Sequence, residues 1–248
     1  RPEPNLRNSL DLAALGTVVD VVPLVDENRI ITYHGLQVMN DNPRLSIQVL
    51  KNLKKVETIT SRTLAFQFGP LINAAGRLKD ADIAVSFLLS NDRQEAEKMV
   101  QILDATNTER REKESEMLQT ALKLGDEQKN NPALILVSPE FHEGVNGIVA
   151  TRLVDIFYKP VLILTENEGK IKGSGRSIPE LNLKEVLSDC SDLLERFGGH
   201  AAAAGCSLMP ENLKAFQNRF IALCDERLPD SLIPKLQLDG TLDYPELN

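Results

Sequence analysis

The sequence lacks tryptophan, holds few aromatic residues and has no excess of positive charge. Its 248 residues include no Trp, 4% aromatic side chains and a formal net charge of -8. The scarcity of aromatics requires a core built mainly from Leu, Ile, Val and Ala. A protein that coats nucleic acid non-specifically needs a basic surface, so the net charge argues against that class of protein. A local basic groove is still compatible with the charge, because an enzyme that holds a few phosphates can be acidic overall.

Cysteine pairs and long apolar runs are also absent. Cys190, Cys206 and Cys224 show neither a CxxC pattern nor metal-ligand spacing, so we predict reduced thiols in a cytoplasmic protein. No apolar run approaches the ~18 residues of a membrane span, and the first residues do not resemble a signal peptide. We therefore expect no membrane association. The start at Arg1 without Met and the end at Asn248 are interpreted as the boundaries of an excised piece.

The first part of the chain shows helical patterns. Short helices are predicted at 28–41 and 44–55, and a further one at 61–68 that Gly69-Pro70 is expected to stop. A helix is also predicted at 80–89.

A long segment without proline follows, from Arg93 to about Lys129, and predicts one long helix. Its ends are amphipathic, but its middle from Asn107 to Glu116 is polar on all sides. This pattern is typical of a helix that lies in solvent between two domains. We therefore predict a connector helix at 92–130, with a long edge helix of a single domain as the alternative.

Strands alternate with helices after Pro132, which indicates an α/β domain with a central sheet. Strands are predicted at 133–137, 161–164, 170–177 and 205–209, and helices at 145–158, 182–187, 193–197 and 211–227. A further strand at 236–240 is interpreted as the start of a module that has been cut off. The predicted domains are 1–91, 92–130, 131–230 and 231–248.

Two glycine-containing segments carry residues suited to binding anions. GPLINAAGR at 69–77 is a predicted loop in which small residues flank Asn73 and Arg77, and a guanidinium can hold a phosphate through two hydrogen bonds. HEGVNGIVA at 142–150 follows a strand and opens a helix, a geometry that favours anions. Taken singly, a surface turn with an arginine and a loop-packing His142 explain these segments at least as well.

Two further segments lie in the α/β part. KGSGRS at 172–177 falls in a predicted strand, where glycine often marks the close approach of a ligand or of another backbone. Ser174 and Arg176 beside these glycines are phosphate-ligand types. In FGGHAAAAG at 197–205, the glycines offer amides to an anion, and His200 can donate to the same oxygen or stack on a base. A buried structural His200 is the alternative.

The order of these motifs resembles that of the RecJ exonucleases of the DHH phosphoesterase superfamily. The shared pattern runs GPxxNAAGR, HxGVxGIVAxRL, KGSGRS and FGGHAxAAG, and DLAALGTVVDVVPL at 11–24 is similar to the fourth metal-site motif of that family. The resemblance extends from about Asp11 to Arg227. It implies an α/β fold, in which a remnant of the DHH catalytic domain is joined by the connector helix to a DHH-associated domain with a central mixed sheet flanked by helices.

The resemblance also implies a metal site and a DNA-binding site. The family uses two divalent ions, Mn²⁺ or Mg²⁺, to activate water, and three of its four metal motifs are expected upstream of this chain. Asp20 is the expected catalytic metal ligand, and Asp11 is the second choice. Asp20 lies in an apolar stretch, where an unpaired carboxylate is unfavourable, so we expect it to bind a metal or to have a hydrogen-bond partner. The residues expected to bind DNA phosphates are Asn73, Arg77, Arg152, Ser174, Arg176, Gly199 and His200.

Two positions depart from the family pattern. Val19 stands where Ala is usual, and Leu71 stands where Arg is frequent. If an arginine at position 71 contacts DNA in the family, this chain has one contact fewer or uses another residue.

The implied function is that of a fragment of a 5′-to-3′ single-stranded-DNA exonuclease that acts in recombination and repair. The expected partners are single-stranded DNA and a single-stranded-DNA-binding protein, and a monomer is expected. Because most metal ligands are missing, we expect the fragment itself to be inactive. Two alternatives stay open: a DHH-type phosphodiesterase for oligoribonucleotides or cyclic dinucleotides, and a non-catalytic module that binds single-stranded nucleic acid. The predicted strand at 236–240 favours the RecJ layout over the shorter phosphodiesterases.

Overall fold

The computed structural model describes residues 6–167, 169–229, 231–236, 238 and 240. The chain divides into two compact units between Ser115 and Glu116. The division falls inside one helix, Arg93–Glu127, which confirms the predicted long helix. Among the described helices, none is both long and apolar enough to cross a bilayer.

Helices are the regular elements that the structure describes in unit 1, the part before Glu116. Its helices are α1 Leu10–Val19, α2 Asp26–Asp41, α3 Leu45–Lys54, α4 Ser61–Thr63, α5 Gly69–Leu78, α6 Asp82–Leu89 and the first part of α7 Arg93–Glu127. The core is mainly aliphatic, with Phe68 and Phe87 as fully buried aromatics. The predicted helices at 28–41 and 44–55 are therefore confirmed.

The predicted stop at Gly69-Pro70 is wrong. The chain runs from α4 through a π-helical segment, Leu64–Phe68, directly into α5, and Pro70 lies in the first turn of α5. Proline is well tolerated there, because its fixed φ suits the helix and its missing N–H is least needed in a first turn. Gly69 is required by packing, since a Cβ on it would lie 2.7 Å from Val19 Cγ2. The GPLINAAGR segment is therefore helical rather than a loop.

The polar middle of α7 is not fully solvated, contrary to the expectation from sequence. Thr106, Asn107 and Glu114 are buried. Arg110 Nη1 donates a hydrogen bond of 2.7 Å to the carboxylate of Glu114. A polar helix segment can be buried when its charged groups are paired in this way.

Unit 2, the part from Glu116 onward, contains a mixed sheet. Its described strands are β1 Leu134–Val137, β2 Val161–Asn167, β3 Lys170–Arg176, β4 Arg196–Gly199 and β5 Ala203–Leu208, in the spatial order β1-β2-β3-β5-β4. β1 and β2 are parallel, and the other neighbouring pairs are antiparallel. The predicted mixed sheet flanked by helices is confirmed.

Helices cover both faces of this sheet. α8 Glu143–Phe157 packs on one face, against side chains such as Leu134 and Ile163. α9 Leu183–Ser188 and α10 Leu213–Arg227 pack on the other face. That second core contains all three cysteines as free, buried thiols. Burial raises the pKa of Cys190 to about 11 and those of Cys206 and Cys224 to about 12, so these thiols are poor nucleophiles near neutral pH.

The helix predicted at 193–197 is wrong. A 3₁₀ turn, Ser191–Leu193, is followed by the strand β4, which pairs with β5 in a hairpin. Gly198 and Gly199 disfavour a helix, and the pairing partner lies several residues further along the chain. The strand predicted at 236–240 includes residues outside the described ones; Leu236 and Leu238 themselves are exposed.

Candidate functional site

One face of the sheet in unit 2 carries a cavity of about 760 Å³. α8 packs over β2 and β3 on this face, and the cavity lies where β3, β5 and β4 continue past the start of that helix. Its polar and glycine lining residues are Glu143, Asn146, Lys170, Lys172, Gly173, Ser174, Glu195, Arg196, Gly198, Gly205 and Ser207.

Strand register explains why these residues meet. Directly paired residues of neighbouring antiparallel strands lie on the same face of a sheet. Two rows of paired residues cross the three strands: Ser174–Gly205–Gly198 and Lys172–Ser207–Arg196. Two glycines leave the backbone of the first row uncovered, and a Cβ on Gly198 would meet no atom within 4 Å. The floor of the cavity is thus flat backbone, open to a ligand.

The charges around the cavity favour an anion. Lys170 Nζ lies 3.0 Å from the carboxylate of Glu195, and Lys172 Nζ lies 3.3 Å from that of Glu143. Arg196 makes no ion pair with any residue that the structure describes. Its guanidinium is therefore the group best placed to hold a phosphate, since guanidinium and phosphate form paired hydrogen bonds.

Of the predicted phosphate ligands in unit 2, Ser174 lines this cavity and Arg176 does not. The Arg176 guanidinium is packed under α8, where a Cβ on Gly147 would lie 2.8 Å from Nη2. Arg176 Nη1 donates a 2.8 Å hydrogen bond to the carbonyl of Gly175. Burial lowers the pKa of this guanidinium below its usual value. Arg152 is exposed on α8 and is not among the residues that line the cavity.

Gly199 and His200 form the turn between β4 and β5. Gly199 has a φ of 135°, and a Cβ on it would collide with the carbonyl oxygen of Ala203. The backbone N–H of His200 donates a 2.8 Å hydrogen bond to that same oxygen. The side chain of His200 is exposed, so the alternative of a buried structural histidine is wrong. The hairpin requires this glycine whether or not a ligand is bound.

The glycines of KGSGRS are approached by core side chains rather than by a ligand. A Cβ on Gly173 would overlap Leu164 Cδ2, and one on Gly175 would lie 2.8 Å from Leu183 Cδ2. Their alternation with Ser174 places their missing side chains on the face that packs against α9 and α10. The glycines therefore fit the core, and Ser174 faces the cavity.

In unit 1, Asp20 and Asn73 line one cavity of about 340 Å³ whose other walls are mainly apolar. Asp20 follows the last turn of α1 and is exposed, and its carboxylate makes no hydrogen bond to a described residue. The hydrogen-bond partner that was one of the two expected alternatives is not found among the described residues, and exposure removes the desolvation penalty that made a partner necessary. Asn73 and Arg77 are both exposed, one turn apart on α5.

Asp11 has a structural partner. It is buried, and both carboxylate oxygens face Arg44: Nη2 donates to Oδ1 at 2.7 Å, and Nε donates to Oδ2. Among the described residues, no three His, Cys, Asp or Glu side chains are grouped as metal ligands. One exposed aspartate and one aspartate held by arginine do not fit a site for two divalent ions.

Sequence reasoning missed the three cations of the cavity, Lys170, Lys172 and Arg196. Lys170 and Lys172 precede Ser174 at intervals of two, so strand alternation could have placed them on its face. Arg196 could be placed in the cavity only with knowledge of β4 and its register, and the sequence predicted a helix at 193–197 instead. His142 has a structural role, since its Nδ1 accepts a 3.1 Å hydrogen bond from the N–H of Gly144 and caps α8.

The unit that carries this cavity matches a known class of domain. Residues 130–226 match the family model of the DHHA1 domain. The single-stranded-DNA-specific exonuclease RecJ of Bacillus subtilis is 39% identical over 93% of this chain, and that of Escherichia coli is 38% identical over 98% of it. The crystal structure of Thermus thermophilus RecJ in complex with Mg²⁺ superposes with a TM-score of 0.83 at 35% identity, over 92% of this chain and 36% of that one.

Residues 130–226 are thus similar to a DHHA1 domain, and the chain is similar to RecJ exonucleases over nearly its whole length while spanning only a part of theirs. It covers 30% of the length of the B. subtilis relative and 45% of that of the E. coli relative.

Proposed function

We propose that this chain binds single-stranded DNA through the cavity of unit 2, as the phosphate-holding part of an exonuclease. The observation that carries the proposal is the glycine-floored cavity beside Arg196, a guanidinium without an ion pair among the described residues. Three cations and two carboxylates line it, in a chain that is acidic overall. A local site of this kind can hold a few phosphates without a basic surface elsewhere.

The whole protein, in this proposal, hydrolyses single-stranded DNA from the 5′ end in recombination and repair, with Mn²⁺ or Mg²⁺ as cofactor. Support comes from relatives named as single-stranded-DNA-specific exonucleases and from structures of T. thermophilus RecJ with Mg²⁺ and with Mn²⁺. Asp20 is kept as the proposed metal ligand, and Asp11 is assigned a structural role with Arg44. As proposed phosphate ligands we favour Arg196 and Ser174, which line the cavity, over Arg176 and Arg152, which do not.

The proposed domain boundaries are 1–91 for the remnant of the catalytic domain, 92–130 for the connector helix and 131–230 for the DHH-associated domain. A further module is proposed to begin at 231. We propose that the protein is a cytoplasmic monomer and that it binds single-stranded DNA and a single-stranded-DNA-binding protein. Three buried free thiols suit a reducing compartment.

Replacing Arg196 with glutamine is expected to weaken binding of a single-stranded oligonucleotide about five- to tenfold in low salt. The slope of log Kd against the logarithm of the salt concentration should fall by about 0.7, because one phosphate contact with a single strand is lost. Fluorescence anisotropy of a labelled oligo(dT) over a series of salt concentrations measures both quantities.

The matched control is Lys184→Gln, which removes one positive charge from an exposed position on α9, outside the cavity. It should leave the affinity within about twofold, because α9 packs on the opposite face of the sheet and a charge there makes no contact with a phosphate in the cavity. Equal losses for Arg196→Gln and Lys184→Gln would show that only net charge matters, and would contradict binding in the cavity.

The chain by itself is expected to show no nuclease activity with Mn²⁺ or Mg²⁺, because its described residues do not provide a two-ion site. Release of nucleotides from a 5′-labelled single strand, separated on a gel, measures this. Metal-dependent cleavage that Asp20→Ala abolishes would contradict the expectation.

A further inference from the structure

Two ion pairs in the wall of the cavity occupy two of its three cations. Lys170 Nζ lies 3.0 Å from Oε1 of Glu195, and Lys172 Nζ lies 3.3 Å from Oε2 of Glu143. With Arg196, these charged side chains leave an excess of only one positive charge in the lining. A site that holds phosphates gains from every cation that is free to contact them, so its two carboxylates work against binding.

Both ion pairs are accessible to water and can open easily. The side chains of the two lysines are each 52% exposed, and those of Glu143 and Glu195 are 39% and 34% exposed. Exposed ion pairs contribute little stability, because water screens their charges. A lysine carries its ammonium on a flexible four-carbon stem, so it can change partner without movement of the backbone. A phosphate that enters the cavity can therefore take the place of either carboxylate.

Strand register places one of these lysines near the unpaired guanidinium. Lys172 and Arg196 lie in one row of paired residues, on either side of Ser207 of β5. Neighbouring strands are ~4.8 Å apart, so the two Cα atoms are separated by roughly 10 Å on the same face of the sheet. Lys170 lies on that face as well, two residues before Lys172 on β3. A strand of DNA whose phosphate contacts Arg196 thus passes close to both lysines.

We infer that Glu143 and Glu195 set how tightly the cavity holds single-stranded DNA, because each carboxylate occupies a lysine that must exchange it for a phosphate. This role rests on the proposed function and adds two residues that limit the affinity of the site. Arg196 is the contact that is available from the start, and the lysines become contacts only when the strand displaces a carboxylate. A hold of this kind suits an exonuclease, whose substrate must leave each contact as the strand advances.

Glu143→Gln and Glu195→Gln are each expected to bind labelled oligo(dT) about two- to fivefold more tightly than the parent chain, the effect of one exposed ion pair. Fluorescence anisotropy at one low salt concentration measures these affinities. The matched control is Glu226→Gln, which removes the same charge from an exposed position on α10, on the other face of the sheet. It should change the affinity by less than about 1.5-fold, since it frees no lysine of the cavity. An equal gain in all three variants overturns the inference.

Double variants show whether Glu143 acts through Lys172. The gain from Glu143→Gln should disappear in the Lys172→Gln background, because no lysine is left to be freed. It should persist in the Lys170→Gln background, since Lys170 pairs with Glu195 instead. A gain of full size in the Lys172→Gln background would mean that the carboxylate only repels the strand, and this result also overturns the inference.

Thermal unfolding separates these effects from changes in stability. Glu143 lies in the first turn of α8, where a negative charge favours the helix, so Glu143→Gln should unfold at an equal or lower temperature than the parent. Tighter binding by a chain that is no more stable supports the inference. If the parent binds without salt dependence and Arg196→Gln has no effect, the proposed function itself is wrong. The inference alone fails if these two behave as proposed while Glu143→Gln and Glu195→Gln bind no more tightly.

Discussion

Gly199→Ala is expected to lower the free energy of unfolding by about 2–4 kcal/mol, whereas Gly198→Ala should change it by less than about 0.5 kcal/mol. The two glycines are neighbours in β4, but their surroundings differ. Gly199 has a φ of 135°, and a Cβ on it would lie 2.5 Å from Ala204 Cα. A Cβ on Gly198 would meet no atom within 4 Å. The first substitution therefore strains the backbone of the hairpin, and the second does not.

Urea denaturation followed by circular dichroism, with linear extrapolation to water, measures both changes. The pair provides its own control because the same chemical change is made at adjacent positions. Similar losses of stability in the two variants would show that β4 does not pair with β5 in the register described.

Arg44→Met is expected to lower the free energy of unfolding by about 3–5 kcal/mol, because it leaves the buried Asp11 carboxylate without its cation. The side chain of Asp11 is 2% exposed and that of Arg44 23% exposed. The pair Lys54–Asp104, at 2.8 Å, has side chains 25% and 41% exposed. Lys54→Met should therefore cost less than about 1 kcal/mol, as solvent-screened pairs do.

The double variant Asp11→Leu with Arg44→Met is expected to recover most of the loss, since it removes both charges from the buried site. Chemical denaturation of the parent, the single variants and the double variant completes the comparison. A loss for Arg44→Met no greater than for Lys54→Met would contradict the structural role of Asp11 and would leave its carboxylate available as a metal ligand.

The helices and the sheet could be predicted from the sequence where the pattern is local. The long helix Arg93–Glu127 is an unbroken run without proline, and β2 is a run of buried aliphatic residues. The prediction failed at Gly69-Pro70 because packing of Gly69 against Val19 and a π-helical turn override the usual signals of a helix end. It failed again at β4, whose partner β5 is set by pairing rather than by composition.

The candidate site was predictable only in part for the same reason. Ser174 was found because a serine between glycines is unusual in a strand, and it does line the cavity. Arg176 has the right chemistry but lies packed against α8, which only the three-dimensional structure shows. Arg196 and Asn146 reach the cavity through the register of β4 and the docking of α8 on the sheet. Neither relation can be read from residues that are adjacent in the sequence.

Four glycines of the sheet, Gly173, Gly198, Gly199 and Gly205, have three separate roles. Gly173 makes room for the core side chain of Leu164, and Gly199 permits the backbone of the hairpin. Gly198 and Gly205 leave the floor of the cavity bare. Only the last role concerns a ligand directly, so a substitution at Gly198 tests binding, and one at Gly173 or Gly199 tests the fold; a Cβ on Gly205 would lie 3.3 Å from the carbonyl oxygen of Gly173 and would affect both.

The central claim is that single-stranded DNA lies in this cavity of unit 2. Titration of the ¹⁵N-labelled chain with oligo(dT), followed by amide chemical shifts, tests that location most directly. We predict the largest shifts at Ser174, Gly198, Gly205 and Ser207, whose backbones form the floor. Largest shifts instead at Gln128, Lys214 and Gln217, which line a separate cavity of about 550 Å³ beside α10, would contradict the claim.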